Sequence, residues 1–157
     1  MNSIVSKPRV IVLVGLPGSG KSTWAARRKL PVLASDAMRA ALADNETDQS
    51  IHKRVLAALR YLVRQRVAIG RPVTVVDATH LTRWERRPYF RLKGCTLEAV
   101  FFDVPIEECQ RRNAARKRVV PTDVIGQMAA RLQPPARAEG FSRITVITPL
   151  RQRERRP

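Results

Sequence analysis

The chain is short of acid. Its 157 residues carry 13 Asp plus Glu against 30 Lys plus Arg, for a formal net charge of +17 and a pI near 11.5. Cysteine and histidine are scarcer still, with two of each. Cys95 and Cys109 have neither the number nor the spacing of a disulfide framework, and no Cys/His cluster marks a zinc site. Both thiols are expected to be buried or incidental. Long apolar runs are missing too. The N-terminal region holds only the run at residues 10–14, too short for the core of a signal peptide or for a membrane span. These absences predict a soluble, cytoplasmic protein with no membrane association, no disulfide and no zinc.

What is abundant is arginine, at 24 residues against six lysines. A basic surplus of this size favours a polyanionic partner, because each phosphate neutralised by a cation releases condensed counterions. GC-rich coding also chooses Arg over Lys, but it does not explain the scarcity of acids. A nucleic-acid partner is therefore expected, with coding bias as the alternative. The length suits one domain able to bury roughly 68 to 70% of the surface its unfolded chain exposes. Residues 1–150 are expected to form that domain, and residues 151–157, with four Arg, a basic C-terminal tail.

Apolar runs of strand length alternate with longer segments of helical period, the pattern of a largely parallel sheet covered by helices on both faces. The spacing predicts an α/β fold with five strands, at residues 10–14, 31–34, 73–76, 97–104 and 144–147. Ile51, Val55, Leu59, Leu62 and Val63 follow helical spacing between Asp48, a possible N-cap, and Gly70, a terminator. Thr82 with Glu85 three residues on reads as a capping box for a helix reaching about Lys93. Pro105 suits the first turn of a helix holding Glu107, Glu108, Arg111 and Arg112.

Residues 15–22, GLPGSGKS, satisfy G-x-x-x-x-G-K-[ST] directly after a buried strand and directly before the helical run at 22–29. Glycines let the backbone turn tightly and aim successive N–H groups inward, and the helix that follows adds its positive end. Gly15, Pro17, Gly18, Ser19, Gly20, Lys21, Ser22 and Thr23 are thus the candidate ATP-binding set. Lys21 is expected on the β- and γ-phosphates, with the Ser22 hydroxyl as a magnesium ligand. The motif leaves open whether the γ-phosphate goes to water, a metabolite or a polymer.

In an open parallel sheet, ligands sit beyond the carboxyl ends of the strands. Two acids fall there. Asp36 follows the second predicted strand and is a candidate general base for an acceptor hydroxyl; it is equally placed to cap a helix beginning at Ala37. Arg39, three residues on, shares nearly the same helical face. Asp77 ends the third strand, near the metal or the acceptor, unless it only shapes a turn. Arg111, Arg112, Arg116, Lys117 and Arg118 form a basic cluster before Pro121. Arg112 and Arg116 are four apart and, on a helix, share a face that either closes over phosphates or is merely solvated.

Taken together, these pieces resemble the polynucleotide 5′-hydroxyl kinase family, the kinase module of phage and bacterial RNA-repair enzymes. The likeness runs over residues 10–128. It rests on GLPGSGKSTWA at 15–25, SDAMR at 35–39, VDATHL at 76–81 with Glu85-Arg86-Arg87 after it, and FDVPIEECQRRNAARKRVVPTDVIGQM at 102–128. It implies a P-loop NTPase fold, like that of nucleoside kinases, with an Arg-bearing helical lid. It also implies ATP and Mg2+ as cofactors and a nucleic acid with a 5′-hydroxyl end as acceptor. By the same resemblance, Lys21 and Ser22 serve ATP and magnesium, and Asp36 is the general base on the 5′-hydroxyl. Arg39 contacts the phosphate on the 3′ side of the acceptor nucleoside, Asp77 supports the acceptor pocket, and Arg116, assisted by Arg112, is the lid arginine. The sequence departs from the family pattern at Ala37, where some relatives have a second acid, and at His80, where Asn is frequent. The segment after Asp77 also reads one residue longer. An Asp-x-Asp-Gly-Thr phosphatase motif is absent, so no 3′-phosphatase activity is expected from this chain. Two other functions fit the P-loop: a kinase for a nucleoside, sugar or antibiotic, and a non-catalytic, nucleotide-switched nucleic-acid binder.

Overall fold

A computed structural model describes residues 6–149. The basic tail expected at 151–157 lies outside the described residues. Five strands form one sheet: β1 (Arg9–Val14), β2 (Val32–Ala34), β3 (Val73–Asp77), β4 (Thr96–Phe102) and β5 (Arg143–Ile147). Their order is β2-β3-β1-β4-β5, and every pairing is parallel. β1 lies at the centre, with Val10 opposite both Thr74 and Leu97. The chain crosses from one half of the sheet to the other on either side of it, and the crevice at its carboxyl end is where such sheets bind ligands.

Six helices complete the described chain: α1 (Lys21–Arg27), α2 (Ser35–Ala43), α3 (His52–Ala68), α4 (Arg83–Arg86), α5 (Ile106–Ala114) and α6 (Thr122–Arg131). The two faces of β1 explain their placement. Val10, Val12 and Val14 point to one side and pack with Val55, Leu59 and Val63, the i, i+4, i+8 stripe of α3. Ile11 and Leu13 point to the other, where Ala25 of α1, Cys109 of α5 and Ile125 of α6 close the second layer. All of β1 after Arg9 is buried, which is why its sequence is continuous apolar rather than alternating.

Several element ends differ from expectation. α2 opens at Ser35 with Ala34 before it, so Asp36 lies inside the first turn and makes no cap. Asp48 does not cap α3 either: its carboxylate accepts from the Ser50 N–H at 2.9 Å in a turn before the helix, while Gly70 follows the helix end at φ 75°. Thr82 and Glu85 do form the capping box, but α4 ends at Arg86 and gives way to a 3-10 helix, Arg87–Arg91. Pro88 has no N–H to continue the α-helical ladder. α5 ends at Ala114, so Arg116 lies on the α5–α6 connection and not on one helical face with Arg112.

Candidate active site

The loop after β1 is shaped by two left-handed glycines, Gly18 at φ 82° and Gly20 at φ 98°. At Gly18 a side chain is also excluded by space, because a Cβ there would collide with the Cys109 carbonyl of α5. The glycine therefore lets α5 close directly onto the loop. Lys21, the first residue of α1, turns its ammonium back into the loop and donates to the carbonyls of Gly15 at 2.9 Å and Leu16 at 2.8 Å. Burial pushes its pKa down to about 8, with the Asp77 carboxylate partly opposing the fall. Beside it the Ser22 hydroxyl donates to Asp77 at 2.6 Å. A hydroxyl and a carboxylate touching in this way are hard oxygen donors suited to Mg2+, which takes one or two protein ligands and fills its shell with water and phosphate. Asp77 thus lies beside the glycine loop.

Across the cleft, the Asp36 carboxylate accepts a hydrogen bond from Arg39 at 2.8 Å and forms an ion pair with Arg118 at 3.0 Å. Arg39 is 5% exposed and its second nitrogen lies 3.2 Å from His52 Nδ1, while its Nε is buried with no partner among the described residues. A guanidinium has no acceptor to offer, so His52 must take this bond on an unprotonated Nδ1. Burial, together with the Arg39 charge, holds the His52 pKa below its ordinary value, consistent with that neutral form.

The third wall comes from α5 and the turn behind it. Glu108 accepts from Arg111 and Arg112, which drive its pKa down to about 2. The pair fixes Arg112 with one guanidinium nitrogen 3.5 Å from the Ser19 carbonyl. Asn113, 2% exposed, clasps the turn by donating to the Val120 carbonyl at 2.7 Å and accepting from its N–H at 3.0 Å. Arg116 and Arg118 project from the clasped turn into the same cleft.

That cleft has a volume of about 1370 Å³ and is lined by Pro17, Gly18, Gly20, Lys21, Ser22 and Thr23 on one side. Asp36, Arg39, His52 and Asp77, with Arg112, Arg116 and Arg118, complete it. Every polar side chain proposed from sequence for catalysis or acceptor binding therefore meets in one concavity. Gly15 and Ser19 contribute carbonyls behind it. Sequence reasoning did not find His52, nor the ion pair of Arg118 with Asp36. Their pairings span 13 and more residues and leave no periodic trace. His80, the departure from the family pattern, is 2% exposed at φ 47°. It bonds the Leu13 carbonyl at 2.9 Å and the Tyr89 hydroxyl at 3.2 Å, and burial lowers its pKa to about 4. This positive φ is one that Asn adopts readily, which accounts for either residue at the position. Among the described residues no helix is long and apolar enough to cross a membrane, and no group of three His, Cys, Asp or Glu side chains could hold a metal ion.

A family described as the AAA domain matches residues 10–135. No curated protein matches by sequence. Among solved structures, the Pnkp1/Rnl/Hen1 RNA repair complex has a chain similar with TM-score 0.68 and 23% identity, over 84% of this chain and 46% of that one. This chain thus spans about half of that relative's length. A sugar kinase from Janibacter is similar with TM-score 0.66 and 19% identity, over 94% of this chain and 92% of that one. The Mycobacterium tuberculosis APS kinase, solved with AMPPNP and APS, gives TM-score 0.59 and 19% identity, over 94% of each chain. At these identities the likeness establishes the fold: an α/β P-loop NTPase fold.

Proposed function

The chain belongs to the AAA domain family, and from that premise we propose that it is an ATP-dependent kinase for the 5′-hydroxyl end of a polynucleotide. At the coarser level it has the nucleotide site and the fold of P-loop kinases. One observation supports the finer statement most. Asp36 is held between Arg39 and Arg118 in the same cleft as Lys21. A carboxylate orients and deprotonates a hydroxyl, while a guanidinium beside it binds the phosphate that follows the first nucleoside of a polynucleotide.

In this mechanism Lys21 and the loop N–H groups hold the β- and γ-phosphates of ATP. Ser22 and Asp77 would hold Mg2+, which when bound would supply positive charge to offset that of the phosphates. Asp36 aligns the acceptor hydroxyl and takes its proton as the new O–P bond forms. The bond from the γ-phosphorus to the bridging oxygen breaks, and ADP leaves with the electron pair. Arg116, with Arg112, offsets charge on the equatorial oxygens in transit.

The likeness to a sugar kinase along nearly its whole length favours a second reading, a small-molecule acceptor. Labelled ATP and magnesium, incubated with 5′-hydroxyl RNA, 5′-hydroxyl DNA and a panel of sugars and nucleosides, separates the two. Label on polynucleotide ends supports the proposal, and label only on metabolites replaces it. ATP binding and polynucleotide binding with no transfer to anything would leave a nucleotide-switched binder.

A further inference from the structure

A second concavity, of about 540 Å³, lies on α4 outside the catalytic cleft and is lined by Arg83, Trp84, Arg87, Phe90 and Glu139. Trp84 is 72% exposed, an unusual position for the side chain with the most apolar area to lose from water. Neither Arg83 nor Arg87, both exposed, makes an ion pair among the described residues. The one acid of the patch is already committed, since Glu139 accepts a two-pronged bond from the buried Arg86 at 2.9 and 3.0 Å. The patch therefore presents an indole face and two uncompensated guanidinium groups.

Its backbone is held firmly. The Thr82–Glu85 capping box closes one end of α4, and Arg86 ties the turn to the carbonyls of His80 at 2.8 Å and Leu81 at 3.2 Å. An aromatic on a fixed turn loses little freedom on contact, so its stacking is not offset by ordering. The patch also adjoins the acceptor side of the cleft. Glu85, next to Trp84, lines that cleft together with His52, the partner of Arg39.

We propose that this patch is a subsite for single-stranded polynucleotide, where Trp84 stacks on a base downstream of the 5′ nucleoside while Arg83 and Arg87 contact flanking phosphates. Stacking on an exposed aromatic with cations at its rim suits single strands of any sequence, because every base has a π-face. The inference rests on the polynucleotide reading of the cleft.

The test is steady-state kinetics with nucleoside 3′-phosphate and with 5′-hydroxyl oligonucleotides of two, four and eight nucleotides, for the wild type, Trp84→Ala, Trp84→Phe and Arg83→Ala/Arg87→Ala. For the wild type, KM falls as the acceptor lengthens. Trp84→Ala raises KM for the octamer on the order of tenfold, leaves kcat and the KM for nucleoside 3′-phosphate unchanged, and Trp84→Phe recovers most of the loss. The double Arg variant flattens the salt dependence of octamer KM by roughly 1.4 in log–log slope. Equal KM for Trp84→Ala and wild type at every length, with turnover intact, would overturn the subsite. A rise of equal size for nucleoside 3′-phosphate would overturn it as well, since the effect would then come from the cleft. Wild-type failure to label any 5′-hydroxyl acceptor is a separate result that removes the kinase reading itself, and the subsite with it.

Discussion

Lys21 illustrates how one buried side chain links binding to pH. Its ammonium lies against two carbonyls, and burial lowers its pKa to about 8 from an ordinary 10.5. Because phosphate binding needs the charged form, the Kd for ATP should rise above pH 8, approaching about tenfold per pH unit. A Kd that stays flat from pH 7 to 10 contradicts the assignment. Fold stability moves the opposite way. Between pH 8 and 10.5 the unfolded chain binds more protons at this residue than the folded one, so this group makes the protein gain up to about 3 kcal/mol as pH rises. Lost affinity in that window is therefore not caused by this group's effect on stability. Lys21→Ala should cut turnover at least about a hundredfold with the fold retained. Asp36 gives a different signature. It caps no helix but is the charge partner of the buried Arg39, so Asp36→Asn should lower stability by about 1 kcal/mol, keep ATP affinity, and lower kcat by roughly 10² to 10⁴. ATP affinity and turnover falling together by the same factor would remove Asp36 from the chemistry.

Among the elements, the α5–α6 connection is the part whose position was least legible in the sequence. The spacing of Arg112 and Arg116 suggests one helical face, yet α5 stops at Ala114 and it is the Asn113 clasp on Val120 that shapes the turn. Arg118 is not a neutral neighbour either, since it bonds Asp36. The comparison that isolates Arg116 is therefore with Lys117, exposed on the same turn and outside the cleft lining. At saturating ATP and acceptor, Arg116→Ala should lower kcat on the order of a thousandfold and Lys117→Ala should leave it unchanged. Matching rates for the two variants would make Arg116 a solvated charge. By contrast β1, the glycine loop and β3 were readable because their signals are local: a continuous apolar run, a fixed motif, a turn residue after a strand. Ser22 on Asp77 and Arg86 on Glu139 are joined only by the tertiary fold, across 55 and 53 residues. The second of these should be measurable as stability. Arg86 is fully buried, so Arg86→Met strands the Glu139 carboxylate and should cost about 3 to 5 kcal/mol in urea unfolding. A change below about 1 kcal/mol would mean the α4 turn does not depend on that pair.

At the scale of the whole molecule, the +17 charge has two explanations, polyanion binding and arginine-rich coding, and the structure sharpens the contrast between them. Coding bias scatters cations without regard to acids. Here the acids lining the cleft, apart from Asp77 with its bond from Ser22, are each taken up: Asp36 by Arg39 and Arg118, Glu108 by Arg111 and Arg112, Glu85 by Arg131. Arg116 in the cleft and Arg83 and Arg87 beside Trp84 make no ion pair among the described residues. If these groups meet phosphates, log K for a single-stranded acceptor against log[salt] should fall with a slope of about −0.7 for each contact, so that three contacts give a slope near −2. Deleting residues 151–157, with their four Arg, should lessen the slope while kcat at saturating acceptor stays the same. The measurement is acceptor affinity from 50 to 400 mM salt for the full chain and the truncated one. A slope near zero in the full chain would return the charge to coding bias. A steep slope that survives truncation would place the contacts within residues 6–149, where Arg83→Ala/Arg87→Ala and Arg116→Ala divide them between the patch on α4 and the cleft.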